Sequence, residues 1–268
     1  MNGADNISLL VLQQVDSTNT YAKKHFSSLS DGMVVAAIEQ TAGRGRLGRK
    51  WVTAGDTALT ASAVLKNIRE PFHAGVIVGM AGLELVKMYL SARFAFFKWP
   101  NDIYIREKKI AGILSEGVLD RGRLAGVVSG IGINVNQSAA EMALLDNPAT
   151  SLFAECGKKF FLEKMRFELA EKIKKYYIMY QSNSGTLLDL WRNENCLIGE
   201  ELILSTPGGE VKQGCFAAIG ERGEMVLRAP DGEMFRFDCG DVKIDASLIN
   251  FNLLEKNINK KQRQKEYL

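Results

Sequence analysis

The chain has 268 residues, enough for one large domain and a small one. Hydrophobic residues make up 46% and charged residues 24%, as in ordinary soluble globular proteins, so the composition predicts a packed core and excludes disorder as the default. The formal net charge of +3 excludes the strongly basic balance that is typical of nucleic-acid-binding proteins.

The cysteine content indicates the cellular compartment. Cys156, Cys196, Cys215 and Cys239 form no CxxC pair, so neither a zinc site nor a disulfide framework is expected. The pattern favours buried free thiols in a reducing compartment. Neither an apolar run of membrane-spanning length nor a signal peptide is expected, and these expectations together predict a cytoplasmic protein.

The first elements are two strands with a helix between them. Residues 8–15 are predicted to form a strand, and the polar segment 16–19 after it carries side chains that cap helices. The next segment, 20–29, is predicted to form a helix. Residues 33–39 are a β-branched run that suits a buried strand.

The middle of the chain alternates strands and helices. Residues 57–65 predict a strand, and 72–90 predict a largely buried helix because apolar residues recur at helical spacing. Residues 94–98 lead as a strand into a turn enforced by Pro100. An antiparallel pair over 108–118 and 124–135 follows.

The remainder consists of a helix and then many short strands. Residues 160–181 have the charge and apolar period of an amphipathic helix. From 198 to 244, short strand-like runs are separated by regular turn signals, which indicate a small β-barrel. The last residues, 247–268, are polar and charged, as in a surface tail.

Residues 43–51, GRGRLGRKW, are predicted to be a loop. Glycines allow a backbone to approach a phosphate closely, and arginines match phosphate oxygens with planar pairs of donors. A solvated basic loop with no ligand is an equally good interpretation of these residues alone. Trp51 favours a binding role, because an indole beside four cations could stack on a purine.

Three further motifs carry chemistry, and each also has a structural interpretation. KWPND, 98–102, places Asn101 and Asp102 in a turn, where Asp could bind Mg²⁺ beside a phosphate. In KKIAG, 108–112, a lysine at a strand end could neutralise a carboxylate and a phosphate, although such lysines commonly extend to solvent. GIGINVN, 130–136, suits a strand packed against a ligand, or a simple bulge.

The order of these motifs is more specific than any of them alone. DSTN, Gln40, GRGRLGRKW, KWPNDIY, KKIAGILSE and GIGINVN, in this order, closely resemble the catalytic domain of biotin–protein ligases. The resemblance runs from about Val15 to Asn136, and ATSL at 149–152 is a weaker match. It implies an α+β fold, in which a mixed sheet backed by helices, as in class II synthetases, precedes a small SH3-like β-barrel.

The resemblance also implies a domain organisation. We expect a catalytic domain over 1–195, an SH3-like domain over 196–246 and the polar tail over 247–268. The DNA-binding domain of repressor-type members is not expected, so the chain resembles the monofunctional form. A homodimer is left open.

The resemblance implies roles for individual residues. The residues expected to bind biotin are Ser17, Thr18, Asn19, Gln40, Gly43, Arg44, Arg46, Lys109, Gly112 and Gly130. Those expected to bind ATP or the adenylate are Arg46, Arg49, Trp51, Asn101, Gly132 and Asn134. Lys109, Arg46 and Asp102 are the expected catalytic residues, with Asp102 also as a Mg²⁺ ligand.

The implied reaction has two steps. Biotin's carboxylate attacks the α-phosphorus of ATP, and a carrier lysine then attacks the biotinyl-5′-adenylate. The implied cofactors are ATP and Mg²⁺, and the implied partner is a biotin carboxyl carrier protein or domain. Two alternatives remain: a lipoate–protein ligase, whose Arg-Arg-x-x-Gly-Gly-Gly signature is missing here, and a non-catalytic biotin or nucleotide sensor, against which Lys109 and Asp102 argue.

Overall fold

A computed structural model describes residues 8–51, 55–68, 70–90, 95–206, 208–238 and 243–245. Its larger sheet has seven strands in the spatial order β1-β2-β3-β7-β6-β5-β4. The strands are β1 (Leu9–Val15), β2 (Val34–Gln40), β3 (Ala58–Leu65), β4 (Ala95–Lys98), β5 (Asp102–Ile105), β6 (Lys108–Asp120) and β7 (Arg123–Asn134). β1 and β2 are parallel and the other pairs antiparallel, so the predicted mixed sheet is confirmed.

Six helices accompany this sheet within the described ranges. They are α1 (Thr18–Lys24), α2 (Pro71–Leu90), α3 (Ala139–Ala143), α4 (Leu152–Cys156), α5 (Leu162–Ser182) and α6 (Ser184–Asn193). The central helix α2 packs against one face of the sheet. A Cβ at Gly82 would lie 2.3 Å from the Ile131 side chain, so glycine there permits a close approach.

A smaller antiparallel sheet follows, with the strand order β11-β10-β9-β8-β12. Its strands are β8 (Glu201–Ser205), β9 (Val211–Ile219), β10 (Met225–Arg228), β11 (Met234–Phe237) and β12 (Lys243–Asp245). The turn between β9 and β10 contacts the larger unit, where Trp99 Nε1 donates to Gly223 O at 2.8 Å. Trp99 also meets Phe216 edge-on, which fixes this sheet beside the start of β5.

Four expectations need correction. The first helix ends at Lys24 rather than near residue 29, where serines favour turn hydrogen bonds over helical ones. Ser17 occupies the cap position of this helix, yet its side chain makes no capping hydrogen bond. Thr18 and Asn19 turn their side chains into a buried polar cluster instead.

The expected burial of the thiols is also wrong for Cys156, which is exposed at the end of α4. Cys196 and Cys215 are half-buried, and Cys239 lies outside the described residues.

By length and composition, α2 could cross a membrane, contrary to the expectation that no run is long enough. Most of its apolar window, 61%, is buried within the protein, because the helix packs between the sheet and α5. Its hydrophobicity is therefore that of a core helix.

Candidate active site

The site is formed on the face of the larger sheet opposite α2. Cross-strand pairing aligns Ser62, Gly130 and Leu114 in one row, and Thr60, Gly132 and Gly112 in the next row. Residues two apart on a strand share a face and lie roughly 6.5 Å apart. The sheet thus presents two adjacent rows, each with a glycine on β7.

The first row meets a buried polar cluster from the DSTN segment. Thr18 donates through both its backbone N–H and its hydroxyl to Gln40 Oε1, at 2.7 and 3.1 Å. The Ser62 hydroxyl lies 2.7 Å from Thr18 Oγ1 and 2.6 Å from Asn19 Oδ1. A Cβ at Gly130 would come within 2.2 Å of Asn19 Oδ1, so the strand needs glycine beneath this cluster.

The predicted loop, 43–51, closes on itself. Trp51 N–H donates to Gly43 O at 2.9 Å, and Gly45 N–H donates to Arg49 O at 2.7 Å. A Cβ at Gly43 would lie 2.4 Å from Trp51 O, so this closure requires glycine. The tip is a short 3-10 turn over Arg46–Gly48.

The second row carries the Trp51 indole. A Cβ at Gly132 would lie 2.2 Å from the ring, and one at Gly112 would lie 3.3 Å from it. The indole therefore lies directly over this glycine pair. Its Nε1 is buried and finds no hydrogen-bond partner among the described residues.

Cations stand beside this row, each with a partner. Lys109 Nζ lies 2.7 Å from Asp102 Oδ1, an ion pair without hydrogen-bond alignment. Arg46 donates to Asn101 Oδ1 at 2.9 Å, and Asn101 Nδ2 donates to Ile113 O at 2.6 Å. The KWPND turn thus holds two predicted site cations at the edge of the second row. We call this second row the glycine row, because it contains Gly112 and Gly132, and we call the first row the polar row.

The charge environment extends to Tyr104 on β5. Burial raises the pKa of the Tyr104 hydroxyl above its usual range, the Asp102 charge raises it further, and the Arg49 charge opposes both. Arg49 is exposed in the loop, yet its charge therefore acts on the same end of the site.

Asn134 is the last residue of β7, and its side chain is hydrogen-bonded to the ATSL segment, 149–152. Its Nδ2 donates to Thr150 O at 3.0 Å, and Lys109 exchanges backbone hydrogen bonds with Pro148 and Thr150. The ATSL segment is thereby tied to the first residues of β6.

Sequence reasoning missed two residues of this site, Ser62 and Glu116. Ser62 and Thr60 are alternating polar residues in an otherwise apolar strand, which is a usable signal for a polar face. Glu116 is the last residue of KKIAGILSE. Its carboxylate accepts hydrogen bonds from Asn19 and Lys23 and pairs with Arg44 at 2.9 Å.

Burial by itself raises the pKa of the Glu116 carboxyl. The hydrogen bonds from Asn19 and Lys23 and the charges of Arg44 and Lys23 outweigh burial, so the net pKa lies below the ordinary value. Glu116 is therefore ionised at neutral pH.

The chain is similar in sequence to proteins of one family. Residues 11–134 match the biotin/lipoate A/B protein ligase family. A biotin–[acetyl-CoA-carboxylase] ligase of Paracoccus denitrificans is 32% identical, and the match covers 83% of this chain and 95% of that protein. The ligase of the same description from Mycobacterium tuberculosis is 30% identical, covering 87% of each.

A solved structure agrees in fold. The biotin protein ligase of Aquifex aeolicus in complex with biotin and ATP has a TM-score of 0.74 and 26% identity to this chain. The match covers 89% of this chain and 98% of the Aquifex chain.

Proposed function

This chain belongs to the biotin–protein ligase family, and on that premise we propose how its described residues divide the reaction between them. As a biotin–protein ligase it activates biotin with ATP and transfers the biotinyl group to a lysine of a carrier protein. The observation that carries the assignment of residues is the pair of adjacent rows on one sheet face, one polar and one beside cations.

The polar row is the proposed site for the ureido end of biotin. A ureido ring has two N–H donors and one carbonyl acceptor, so it needs a pocket with both kinds of group. Thr18, Asn19 and Ser62 supply hydroxyl and carboxamide oxygens, and Gln40 supplies an amide. Gly43 lies beside Gln40 and Gly130 beside Asn19, and the buried Ser17 precedes Thr18, so we assign all three to the same site.

The glycine row and its cations are the proposed site for the nucleotide. Trp51 lies over Gly132 and Gly112 and is our candidate for stacking on adenine. Arg46 and Lys109 lie where biotin's carboxylate and the α-phosphate of ATP would meet, and Arg49 extends this positive charge. Asn134 supports the same end through the ATSL segment.

The first step brings two anionic groups together. The carboxylate and the triphosphate repel each other, so fixed cations at their meeting point lower the barrier. A biotin carboxylate oxygen bonds to the α-phosphorus as the bond to the bridging oxygen breaks, and pyrophosphate leaves. Lys109 and Arg46 stabilise the charge that develops on the phosphoryl oxygens.

In the second step, the carrier lysine attacks the carbonyl carbon of the mixed anhydride, and AMP leaves with the bonding electrons. Most free lysine amines are protonated at neutral pH, since their pKa is about 10.4. Holding the anhydride still beside the incoming amine therefore contributes much of the rate. The loop over 43–51 is the proposed cover that excludes water from the anhydride.

Mg²⁺ belongs with the triphosphate. Among the described residues, no group of three or more His, Cys, Asp or Glu side chains could hold a metal ion by itself. Asp102 fits the usual arrangement, in which one or two carboxylates hold Mg²⁺ together with substrate phosphates. Its Oδ1 makes no aligned hydrogen bond but faces Lys109 Nζ at 2.7 Å, so it could hold Mg²⁺ once a phosphate engages that lysine. The bound ion would offset phosphate charge.

The partner, the compartment and the domain division are also proposals. We propose a biotin carboxyl carrier protein or domain of a biotin-dependent carboxylase as the acceptor. The free thiols of Cys156 and Cys215 suit a reducing cytoplasm, which we propose as the compartment. The smaller sheet, which begins at Glu201, supports a division of the chain near residue 196.

The direct test is intact mass spectrometry of a carrier domain after incubation with the enzyme, ATP, Mg²⁺ and biotin. We expect the carrier to gain one biotinyl group, with none gained when ATP is omitted. Lipoate in place of biotin tests the neighbouring activity in the same family. A carrier that gains lipoyl but no biotinyl groups would contradict the assignment.

A further inference from the structure

Glu116 connects three parts of the site through one carboxylate. Its Oε2 accepts a hydrogen bond from Asn19 Nδ2 at 2.8 Å and pairs with the Arg44 guanidinium at 2.9 Å. Its Oε1 accepts a hydrogen bond from Lys23 Nζ at 3.0 Å. The side chain is 18% exposed, so α1, the loop over 43–51 and β6 meet at a largely covered charge.

The contact with Asn19 helps to determine which atom of its carboxamide faces the polar cluster. Asn19 Nδ2 donates both to Glu116 and to Leu114 O, at 2.8 and 3.1 Å, and only the nitrogen of a carboxamide can donate. Oδ1 must therefore point the opposite way, toward Ser62 and over Gly130. A carboxamide oxygen has two lone pairs, so it can accept a ureido N–H in addition to the Ser62 hydroxyl.

The second contact fixes the start of the loop. The Arg44 guanidinium pairs with Glu116. The backbone of Arg44 also forms an isolated antiparallel β-bridge with that of Lys50 across the loop. Gly43 lies directly before Arg44 and borders Gln40 and the Trp51 backbone. Holding Arg44 thus holds the turn of backbone that adjoins the polar pocket.

We propose that Glu116 is a positioning residue for biotin: it orients the Asn19 carboxamide as an acceptor and anchors the Arg44 end of the loop over 43–51. The inference rests on biotin occupying the polar row. A surface ion pair alone contributes little, since solvent screens it. Glu116 differs because one of its partners is the buried Asn19, whose Nδ2 would otherwise keep only the longer hydrogen bond to Leu114 O.

The test is Glu116→Met, which keeps roughly the length of the side chain and removes both oxygens. The variant can accept a hydrogen bond from none of Asn19, Lys23 and Arg44. ATP–pyrophosphate exchange would be measured as a function of biotin, then of ATP. We expect the KM for biotin to rise about tenfold, equivalent to ~1.4 kcal/mol. The kcat and the KM for ATP should stay within about twofold, because a positioning defect is overcome by saturating biotin.

Lys23→Met is the matched control. It removes the contact to Glu116 from a lysine that is 37% exposed, and leaves the Asn19 and Arg44 contacts in place. We expect its KM for biotin to match wild type. The pair of variants therefore separates the loss of Glu116's inward contacts from the loss of a surface charge pair.

A failure of this proposal can be distinguished from a failure of the proposed function. If the wild-type protein shows no biotin-dependent ATP–pyrophosphate exchange, the proposed function itself is wrong. Active wild type with an unchanged KM for biotin in Glu116→Met would overturn the positioning role alone, as would an equal rise in Lys23→Met. If Glu116→Met does not fold, Arg44→Gln tests the contact between Glu116 and the loop, and an unchanged KM for biotin there would overturn the proposal.

Discussion

The contact between Trp51 and Gly132 gives the sharpest prediction. In Gly132→Ala, the new Cβ would lie 2.2 Å from Cε2 of the indole and 2.6 Å from its Nε1. Atoms do not approach so closely, so the ring must retreat by about 1 Å or more to reach van der Waals separation. The ring belongs to a loop, and β7 is paired on both sides, so the indole should yield rather than the strand.

The magnitude follows from the role proposed for the indole. Stacking of a base on an aromatic side chain is worth about 1–3 kcal/mol. Its loss would raise the KM for ATP roughly 5- to 150-fold. The KM for biotin should change less, because the polar row around Gly130 lies one row away. The melting temperature should stay close to wild type.

The assay is ATP–pyrophosphate exchange at saturating biotin, with thermal melts of each variant. Gly117→Ala on β6 is the control, because its Cβ would meet only the flexible end of Leu124 at 3.2 Å. A second check uses Trp51→Ala. If the clash acts through the indole, Gly132→Ala should add little in that background. A KM for ATP within about twofold of wild type in Gly132→Ala would refute the reasoning.

Three further predictions concern charge. Lys109→Ala should lower pyrophosphate release roughly 100-fold or more with the fold intact, and near-normal release by the purified variant would rule out its role. Arg46→Gly should let the adenylate escape roughly 10- to 100-fold faster, since it loses a charged hydrogen bond of ~1.5–3 kcal/mol; albumin added as a bystander should then become biotinylated, and unlabelled albumin despite pyrophosphate release would contradict this. Burial raises the pKa of Glu84, but bonds from Lys175, Lys172 and Tyr176 outweigh it and bring the pKa to about 2. Its stabilising effect is thus full above about pH 4.5 and lost as pH falls toward 2, so Glu84→Gln should cost about 1 kcal/mol at pH 7 after solvent screening. The melting temperatures of wild type and Glu84→Gln should differ less below pH 4.5 than at pH 7, and a difference that does not change with pH would contradict this prediction.

The sequence predicted the strands and the long helices well because their patterns are local. Alternating and helical periods are set by neighbouring residues, so β3, α2 and the β6–β7 pair lie within a few residues of their expected ranges. The helix after β1 was predicted too long, because helical spacing cannot reveal that Thr18 and Asn19 serve a buried cluster. Local competition by serine side chains then ends the helix at Lys24.

The contacts between motifs could not be predicted in the same way. Asn19 and Glu116 are 97 residues apart, and nothing local to either indicates the other. The pairing of Lys109 with Asp102 depends on the register of β5 against β6, which shifts by a bulge between Ile103 and Tyr104. The position of Trp51 likewise depends on β6–β7 register, which sets Gly112 opposite Gly132.

The same contacts imply how substrates bind. Arg44, Arg46 and Lys109 each have a partner, namely Glu116, Asn101 and Asp102. A triphosphate that engages Arg46 and Lys109 must therefore exchange existing contacts for new ones. The net gain in binding free energy is smaller than it would be for unpaired cations. These cations are already positioned, however, so they need little reorganisation during the reaction. A polyanion that offers several oxygens at once can replace both partners, whereas a single carboxylate replaces at most one. This exchange favours ATP entering with its phosphates toward the KWPND turn, and leaves Glu116 to hold Arg44 throughout.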